Sequence, residues 1–345
     1  MASITGEVIT APPVSRSSRL LELLEPVAAD LGRVEELLNE QVSGFDPGIQ
    51  EYVRYVLGGS GKRLRPSLAL LAGGATGRIG MDHITLGVIV ELIHIATLVH
   101  DDVLDEAEMR HGLPTANSRW TNEISVLLGD CLFAHALKLA AGYPTTAVCR
   151  RVSDATNVVC AGEILQTQRR FDLALLLDEY LDIIHMKTGA LFAVSCELGS
   201  LLNGATPATV KSMAEFGGQL GIAYQIFDDC VDILGQEGKA GKSLGTDVKK
   251  GKLTLPYLLM LQEVGADQRA ELGTMIFRDG PDDREQLRAL ILGNGVLRQS
   301  LLTIERYIDQ AQASLGTLPA NPHVRTLGEL LAYLSRQSRQ LMGVA

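Results

Sequence analysis

Apolar side chains recur at three- and four-residue spacing through most of this 345-residue chain, with polar side chains between them. That period places the apolar residues on one face of a helix. No stretch combines apolar–polar alternation with the β-branched residues typical of strands. The pattern therefore predicts an all-α fold, with helices over residues 20–38, 49–57, 68–75, 84–105, 117–141, 145–169, 175–202 and 207–234 and further helices to about residue 341.

The predicted helices form one group, because no linker separates them into two. We therefore expect a single domain over residues 19–345. Residues 1–18, with Pro12 and Pro13 among small and hydroxyl side chains, predict a flexible tail. This stretch lacks the arginine density of a transit peptide, and no signal-peptide core follows Met1. We also expect no membrane span, since no apolar run approaches roughly 18–20 residues.

Composition narrows the class of function. The net charge of −10 argues against a nucleic-acid partner, which requires a basic face. The hydrophobic fraction of 46% is ample for a large core. The five cysteines are scattered without a Cys-x-x-Cys pair, which is typical of a protein in the reducing cytoplasm.

Two aspartate clusters end two of the predicted helices. The first comprises Asp101, Asp102 and Asp105, and it follows an apolar stretch in which Glu91 is the sole acidic residue. On a helix these three carboxylates fall within an arc of about 100°. Such carboxylates repel one another and are costly to desolvate, so a cation is expected beside them. The same spacing recurs after a second apolar helix, at Asp228, Asp229 and Asp232.

A glycine-rich loop over residues 58–66 carries a group of positive charges. Its sequence, Gly-Gly-Ser-Gly-Lys-Arg-Leu-Arg-Pro, places Lys62, Arg63 and Arg65 beside a permissive backbone. The loop is either a phosphate cradle or a solvated basic turn. It is not a Walker A loop, because Val56 and Arg63 stand where that motif needs glycine and a hydroxyl.

Other polar groups fall within reach of the clusters. His94 lies about two helical turns before Asp101, either as a core histidine or as a ligand. Arg110 follows the first cluster in a loop that can return its charge to the carboxylates. Residues 187–189, Lys-Thr-Gly, interrupt a predicted helix as either a local distortion or a plain kink. Three more polar residues flank the second cluster: Gln225, Lys242 and Lys252.

Carboxylates without histidine or cysteine partners favour Mg²⁺, or Mn²⁺ in its place, over zinc. Mg²⁺ is usually held by one or two carboxylates together with substrate phosphates. Two aspartate clusters surrounded by lysine and arginine therefore indicate a diphosphate between them. The long apolar helix that leads away from the first cluster offers room for a hydrocarbon tail. Together these features indicate a prenyl diphosphate as substrate.

The chain resembles the trans-isoprenyl diphosphate synthases of the polyprenyl synthetase family from about residue 20 to its C-terminus. The resemblance rests on the loop over 58–66, both Asp-Asp-x-x-Asp motifs, the Lys-Thr-Gly segment and the Gly-Thr-Asp…Gly-Lys-x-Thr-Leu-Pro segment over 245–256. It implies a bundle of long helices around a central cavity, the isoprenoid synthase fold. It also implies a Mg²⁺-dependent homodimer that condenses isopentenyl diphosphate with an allylic prenyl diphosphate.

Roles carried over from the family divide the candidate residues into four groups. The resemblance implies about three Mg²⁺ ions on Asp101, Asp105 and Asp228, supported by Asp102, Asp229 and Asp232. It implies allylic diphosphate contacts from Arg110, Lys187, Thr188, Gln225, Lys242 and Lys252. It implies isopentenyl diphosphate contacts from Lys62, Arg65 and His94. The catalytic set would then be Asp101, Asp102, Asp105, Asp228, Asp229, Lys187 and Lys242.

One position departs from the family pattern. The family usually has two arginines after the first aspartates, and here the second is His111. Since that position normally faces isopentenyl diphosphate, we expect weaker binding of this substrate, with a dependence on pH near the intrinsic histidine pKa of about 6.5.

The length of the product is predicted from two small side chains. Ala96 and Thr97 precede the first cluster where short-chain relatives carry bulky aromatics. Small residues leave the channel floor open, so we expect a long all-trans product of about six to ten isoprene units by family analogy, roughly C30–C50. If these residues do not set the floor, Ile93 or residues 126–128 would.

Four alternatives compete with this interpretation. A shorter-chain synthase with a product of about C15–C25 would share every motif. A metal phosphohydrolase built on His100 and Asp101 would need further histidine ligands and leaves the second cluster unexplained. A non-catalytic subunit of a heteromeric synthase would be expected to lose aspartates or cations that are intact here. A terpene cyclase would not need the basic loop. A peripheral membrane contact for product release remains compatible with the sequence.

Overall fold

The computed structural model describes residues 16–59, 61–110, 112–235, 245–278, 280–293, 295–316 and 318–343. Over these ranges the chain is helical almost throughout, so the predicted all-α class is confirmed. The elements up to the end of the first aspartate helix and its hairpin are α1 (Arg16–Leu23), α2 (Ala28–Glu40), α3 (Gln50–Leu57), α4 (Leu64–Thr76), α5 (Met81–Leu104), β1 (Met109–Arg110) and β2 (Leu113–Pro114). The elements that follow are α6 (Ala116–Arg119), α7 (Asn122–Ala141), α8 (Ala147–Gln168), α9 (Leu177–Ile184), α10 (Ala190–Leu201), α11 (Pro207–Leu234), α12 (Thr246–Lys249), α13 (Leu255–Gln262), α14 (Ala266–Arg278), α15 (Pro281–Gly293), α16 (Val296–Leu315) and α17 (Pro322–Leu341).

Helix α5 lies at the centre of the bundle. It is apolar around most of its circumference, and such a helix is stable only when neighbours enclose it. Helices α2, α4, α7 and α10 pack against it, and its side chains from Leu86 to Ile93 are buried. On the far side, α11 packs on α10 and α16. This packing fixes the directions in which α5 and α11 present their aspartates.

Two glycines allow three helices to approach closely. A Cβ atom at Gly199 of α10 would overlap the carbonyl of Ala69 in α4. A Cβ atom at Gly217 of α11 would overlap the carbonyl of Phe192 in α10. Side chains of any size would separate these backbones. The helix that follows the basic loop is therefore linked through α10 to the helix that carries the second aspartate cluster.

Several predicted helices are interrupted or shifted. The helix predicted over 20–38 is divided at Leu24, where a 3₁₀ turn with Pro26 separates α1 from α2. The helix predicted over 117–141 is divided at Trp120, and α7 begins at Asn122 because the Thr121 side chain accepts a hydrogen bond from the Ile124 amide. Such caps satisfy amides that have no partner within the helix. Apolar periodicity continued across both breaks, so it could not reveal them.

A short hairpin follows the first aspartate cluster. Strands β1 and β2 are antiparallel, with Met109 opposite Pro114 and Arg110 opposite Leu113. The apolar pattern predicted no strand, so this pairing is a correction. Two-residue strands are too short to show the apolar–polar alternation that marks a strand in a sequence.

Two helices are long and apolar enough to cross a membrane by length and composition alone. These helices are α5 and α7. In the most apolar 18-residue window of each helix, 72% is buried inside the protein for α5 and 39% for α7. Charged side chains interrupt both helices, for example Glu91 in α5 and Asp130 in α7, so no uninterrupted apolar run approaches the length of a span. For α5 the burial identifies the apolar surface as part of the protein core.

Candidate active site

The last turns of α5 present the first aspartate cluster in two directions. Asp102 is buried; its Oδ1 accepts a hydrogen bond from Arg110 Nε at 2.9 Å and lies 2.8 Å from Nη2 in the same ion pair. The hairpin positions this arginine because it reverses the chain immediately after α5. The prediction that Arg110 returns to the carboxylates is confirmed, with Asp102 as its partner.

Asp105 is the residue that caps the C-terminus of α5, and three cations surround it. Arg170 Nη2 is 2.8 Å from Oδ1, while Lys252 Nζ at 2.7 Å and Lys250 Nζ at 3.4 Å share Oδ2. Burial alone would raise the pKa of Asp105, but the three cations outweigh it and hold that pKa below its ordinary value. The carboxylate is therefore kept ionised.

Asp101 lies close to Asp105 and shares part of its electrostatic environment. Burial raises the pKa of Asp101 to about 6, with the negative charges of Glu163 and Asp105 adding to the shift. Lys187 and Lys252 oppose it. A buried carboxylate beside like charges is more readily ionised when a cation binds, so Asp101 and Asp105 together are suited to a divalent ion.

Lys187 reaches this region from a distorted turn between α9 and α10. Residues His185–Gly189 form a π-helical turn, so the segment is a local distortion and not a plain kink. Lys187 Nζ is 2.5 Å from Glu163 Oε1 and donates to Gln166 Oε1 at 2.6 Å. Both partners lie on α8, which approaches the turn closely at Gly162. The ammonium group is thus positioned by α8.

The second aspartate cluster lies near the end of α11. Asp229 is buried; Tyr180 donates to its Oδ2 at 2.6 Å and Gln225 Nε2 donates to its Oδ1 at 2.8 Å. Thr188 in turn donates to Gln225 Oε1 at 2.8 Å. Burial raises the pKa of Asp229, with the negative charge of Asp247 adding to the shift. Its oxygens are engaged within the protein, in contrast to the cation-facing carboxylate of Asp105.

A segment from Gly245 to Lys252 connects the two clusters. The Gly245 amide donates to the Asp232 carbonyl at 3.1 Å, and the Lys252 amide donates to the Asp247 carbonyl at 2.9 Å. The Lys252 side chain then reaches Asp105. The ends of α5 and α11 therefore border one site, and Lys252 lies against the first cluster rather than the second.

The cations of the glycine-rich loop divide into two groups. Arg65 lies 5.0 Å from the Phe192 ring centre and Lys62 lies 5.9 Å from that of Tyr224. These two rings are neighbours, with centres 5.9 Å apart, so the two cations lie beside adjacent rings. Arg63 instead points inward to Glu35 and Glu91. The loop is thus neither a simple solvated turn nor a cradle of three equivalent cations.

Arg65 and His94 are both partly buried. Burial lowers the pKa of Arg65 to about 10, and its Nε is buried without a hydrogen-bond partner among the described residues. Burial also lowers the pKa of His94 well below its ordinary value, and the neighbouring positive charges of Arg65 and Arg110 lower it further. A partly buried guanidinium with an unused donor beside a neutral imidazole is suited to an anion.

The remaining candidates have different outcomes. Ala96 is fully buried, and Thr97 is partly buried with its hydroxyl donating to the His94 carbonyl at 2.7 Å. Asp232 is buried near the end of α11. His111 and Lys242 lie outside the described residues.

Sequence reasoning did not single out three residues that contact the site: Glu163, Arg170 and Lys250. Arg170 is the second of two adjacent arginines after α8, and Lys250 belongs to the run that contains Lys252. Each residue therefore has a basic neighbour in the sequence, and this pairing of basic residues is the local pattern that marks them. No local pattern marks Glu163, because its partner Lys187 comes from another helix.

Among the described residues, no three histidine, cysteine, aspartate or glutamate side chains form a ready-made metal cluster. Mg²⁺ does not require one, because it retains water and takes part of its oxygen shell from phosphates. Paired carboxylates with adjacent cations fit an ion shared with a diphosphate. The hard oxygen donors near the ends of α5 and α11 are therefore compatible with Mg²⁺.

A model of the polyprenyl synthetase family matches residues 46–291. This is more than two thirds of the chain, and it includes both aspartate clusters. The chain belongs to the polyprenyl synthetase family, as its motifs predicted.

Individual proteins of the family show what the chain is similar to in more detail. The chain is 34% identical over 310 residues to the all-trans-nonaprenyl-diphosphate synthase (geranyl-diphosphate specific) of Rhodobacter capsulatus, covering 90% of this chain and 95% of that one. It is 35% identical over 314 residues to heptaprenyl diphosphate synthase component 2 of Geobacillus stearothermophilus, covering 89% and 96%. Among solved structures, it matches a Caulobacter crescentus polyprenyl synthase complexed with calcium and isoprenyl diphosphate. That match has a TM-score of 0.86 and 34% identity and covers 92% of this chain and 98% of that one.

Proposed function

We propose that this chain condenses isopentenyl diphosphate with an allylic prenyl diphosphate, giving a longer all-trans polyprenyl diphosphate and releasing pyrophosphate. One observation carries the proposal: the site has two cationic regions of different character. The first contains aspartates as well as cations, with Asp105 at its centre. The second contains Lys62, Arg65 and the neutral His94. A reaction between two diphosphates needs two such regions. Only the region whose substrate loses its pyrophosphate requires a metal.

The metal-dependent region would bind the allylic diphosphate. Mg²⁺ would be held by Asp101, Asp105 and Asp228, with Asp102 and Asp232 in support, and when bound it would neutralise charge on the departing pyrophosphate. About three ions are expected by family analogy, and Mn²⁺ could replace them. The Caulobacter relative was crystallised with calcium and isoprenyl diphosphate, which supports divalent-ion binding here.

The side chains around this region would assist departure of the pyrophosphate. Lys187 and Lys252 are nearly enclosed and would donate to phosphate oxygens as negative charge develops. Arg110 would do the same while holding Asp102. Thr188 and Gln225 would orient the diphosphate from the side of α11, and Lys242 is assigned to the same group by its place in the motif.

The second region would hold isopentenyl diphosphate against the allylic carbon. Arg65 would use its unpartnered Nε, and His94 would donate one N–H as a neutral imidazole. The apolar side chains of α5 would exclude water from the cationic carbon until the new bond forms and a proton is lost.

Product length is proposed to be medium to long, about C30–C50 by family analogy. The relatives named for heptaprenyl and nonaprenyl products support this range. Ala96 is buried in the helix that would line the channel, and its small size supports an open floor.

We also infer a homodimer. Helices α7 and α8 pack together and expose several large apolar side chains: Val126, Leu127, Val158, Ile164 and Leu165. A second copy would remove this surface from water. One relative is a named component of a heptaprenyl synthase, so a different subunit is the competing occupant.

The five cysteines are all free thiols, which supports a place in the reducing cytoplasm.

One assay tests the proposed function. The purified chain is incubated with Mg²⁺, labelled isopentenyl diphosphate and allylic primers from dimethylallyl to geranylgeranyl diphosphate, and the products are sized. We expect elongation by the chain alone, loss of elongation with a chelator, and strong loss in Asp105→Asn. Asp309→Asn, at an exposed position on α16, is the matched control and should behave as wild type. Absence of elongation with every primer would contradict the proposal.

A further inference from the structure

Glu91 is an isolated acidic residue in the apolar face of α5. It is 2% exposed, at the centre of the helix that forms the core of the bundle. A buried carboxylate of this kind is tolerated only with a close, well-aligned partner. Arg63 is that partner: its Nη1 lies 2.7 Å from Glu91 Oε1, and the two side chains are 10% and 3% exposed. The proposed reaction assigns no role to either residue.

The guanidinium of Arg63 also organises the loop from which it comes. Its Nη2 donates to the carbonyls of Leu57 and Gly59, both at 3.3 Å. Its Nε and Nη2 bond to Glu35 on α2. A fork-shaped cation can make all these bonds at once, which an ammonium group cannot. The end of α3 and the start of the loop are therefore folded around a group fixed to α2 and α5.

The rest of the loop closes over the same pair. A Cβ atom at Gly61 would lie 3.3 Å from Arg63 Nη1 and 3.6 Å from Glu91 Oε1, so the backbone passes directly over the ion pair. Arg63 itself has φ +47°, a left-handed conformation that is costly for a residue with a side chain. Its carbonyl accepts from the amide and hydroxyl of Ser67 at 3.0 and 2.8 Å, which begins α4. The ion pair holds the backbone in this unusual conformation.

We propose that Arg63 and Glu91 form a positioning pair, which fixes the glycine-rich loop to α5 so that Lys62 and Arg65 meet the diphosphate of isopentenyl diphosphate beside His94. His94 is one helical turn after Glu91 on α5, so the pair sets the loop relative to the helix that carries the third contact. The negative charge of Glu91 also acts on Arg65, whose desolvation it partly offsets. This inference deepens the proposed function and rests on it.

The test compares single and double variants by steady-state kinetics. In Glu91→Gln and Arg63→Lys we expect KM for isopentenyl diphosphate to rise about tenfold to a hundredfold, because small misplacements of binding groups have effects of this size. KM for the allylic substrate should stay near the wild-type value. Rises in both KM values by the same factor would contradict a positioning role.

The double variant Arg63→Met/Glu91→Met separates positioning from stability. Replacing both partners leaves no unpaired buried charge, so its melting temperature should recover relative to the single variants. If the pair positions the loop, KM for isopentenyl diphosphate stays raised in the double variant. If that KM recovers together with the melting temperature, the pair is merely structural. Arg33→Met removes an exposed arginine from an ion pair with Asp30 and should change neither KM.

Hydrogen exchange supplies a readout that does not depend on activity. Backbone amides in the peptide over residues 57–67 should exchange faster in the double variant than in wild type, and unchanged exchange would contradict the positioning pair. A wild-type chain that fails to elongate would contradict the proposed function, whereas this exchange result concerns the pair alone.

Discussion

Lys252 Nζ donates a 2.7 Å hydrogen bond to Asp105 Oδ2, across 147 positions of sequence. The bond joins the last turn of α5 to the segment that follows the second aspartate cluster. It therefore connects two motifs that are separate in the sequence. The Lys252 side chain is only 10% exposed, so its charge is little screened by water.

Replacing Lys252 tests whether this cation serves the allylic substrate. In Lys252→Met we expect kcat/KM for the allylic diphosphate to fall about a hundredfold to a thousandfold, as for loss of one aligned donor in a buried site. KM for isopentenyl diphosphate should change little. Lys211→Met is the matched control, because Lys211 is 78% exposed in a pair within α11 and should leave kinetics unchanged. Equal losses in both variants would show that Lys252 has no special role.

Substitution of His111 tests the departure from the family pattern. His94 stays neutral in the folded protein, because burial and neighbouring cations hold its pKa well below the ordinary value. A change in KM for isopentenyl diphosphate between about pH 6 and 8 that is absent in His111→Arg is therefore expected from His111. In wild type this KM should rise with pH, and in His111→Arg it should be lower and nearly constant. Identical profiles in the two proteins would refute the assignment.

Enlarging Ala96 tests the control of product length. Ala96 is fully buried in α5, and we expect Ala96→Phe to shorten the product by closing the channel floor. Overpacking should also cost about 1–3 kcal/mol of stability. Ala311→Phe is the control, since Ala311 is equally buried on α16 and should share the stability loss without changing product length. Products of wild-type length from Ala96→Phe would place the channel floor elsewhere, at Ile93 or residues 126–128.

Introducing a charged side chain on α7 tests the proposed homodimer interface. Leu127 is 60% exposed within the apolar surface of α7 and α8, so Leu127→Glu should yield a monomer at micromolar concentration. Leu302, also 60% exposed, lies on α16, and Leu302→Glu should leave the assembly unchanged. Sedimentation velocity distinguishes the two. A wild-type monomer, or a Leu127→Glu dimer, would count against this interface.

The buried position of His83 predicts that the folded protein loses stability in mild acid. Its Nδ1 accepts from the Gly80 amide at 3.2 Å, and its Nε2–H donates to the Gly199 carbonyl at 3.1 Å. Burial lowers the pKa of His83, so the unfolded chain binds the proton more readily than the folded one. His83 therefore contributes fully to the free energy of unfolding above its pKa in the unfolded chain, about 6.5. This contribution is lost as the pH falls towards its pKa in the folded protein.

We accordingly expect the melting temperature of wild type to fall between about pH 7.5 and 5.5, and to fall less in His83→Gln. Above about pH 7.5 the histidine is neutral in both states, so the difference between the proteins should become constant. Parallel curves over the whole range would show that His83 does not contribute.

Much of the site follows from local sequence. The Asp-Asp-x-x-Asp spacing predicted carboxylates on the end of a helix. The Lys-Thr-Gly segment indicated an interruption of its helix, either a distortion or a plain kink, and the structure shows a π-helical turn. Arg110 was predicted to return to the carboxylates because only a short loop separates it from them. Each of these inferences concerns residues close in sequence, where helical geometry and chain length limit the alternatives.

Other contacts depended on how the helices cross. Glu163 meets Lys187, and Arg170 meets Asp105 over 65 positions, because α8 and α9 pack where they do. The inward direction of Arg63 required Glu35 and Glu91 to lie on two other helices. The break at Trp120 escaped notice because apolar periodicity continues through it.

The sequence by itself determined the helical class, the two aspartate clusters and the chemistry that those clusters need. These depend on periodicity and residue type, which are local properties. Only the tertiary structure decided which cation meets which carboxylate, and that Arg63, alone of the three loop cations, points inward to Glu35 and Glu91. An ion pair requires its two charges to approach within a few ångströms, and between distant segments that distance is set by helix packing rather than by sequence spacing.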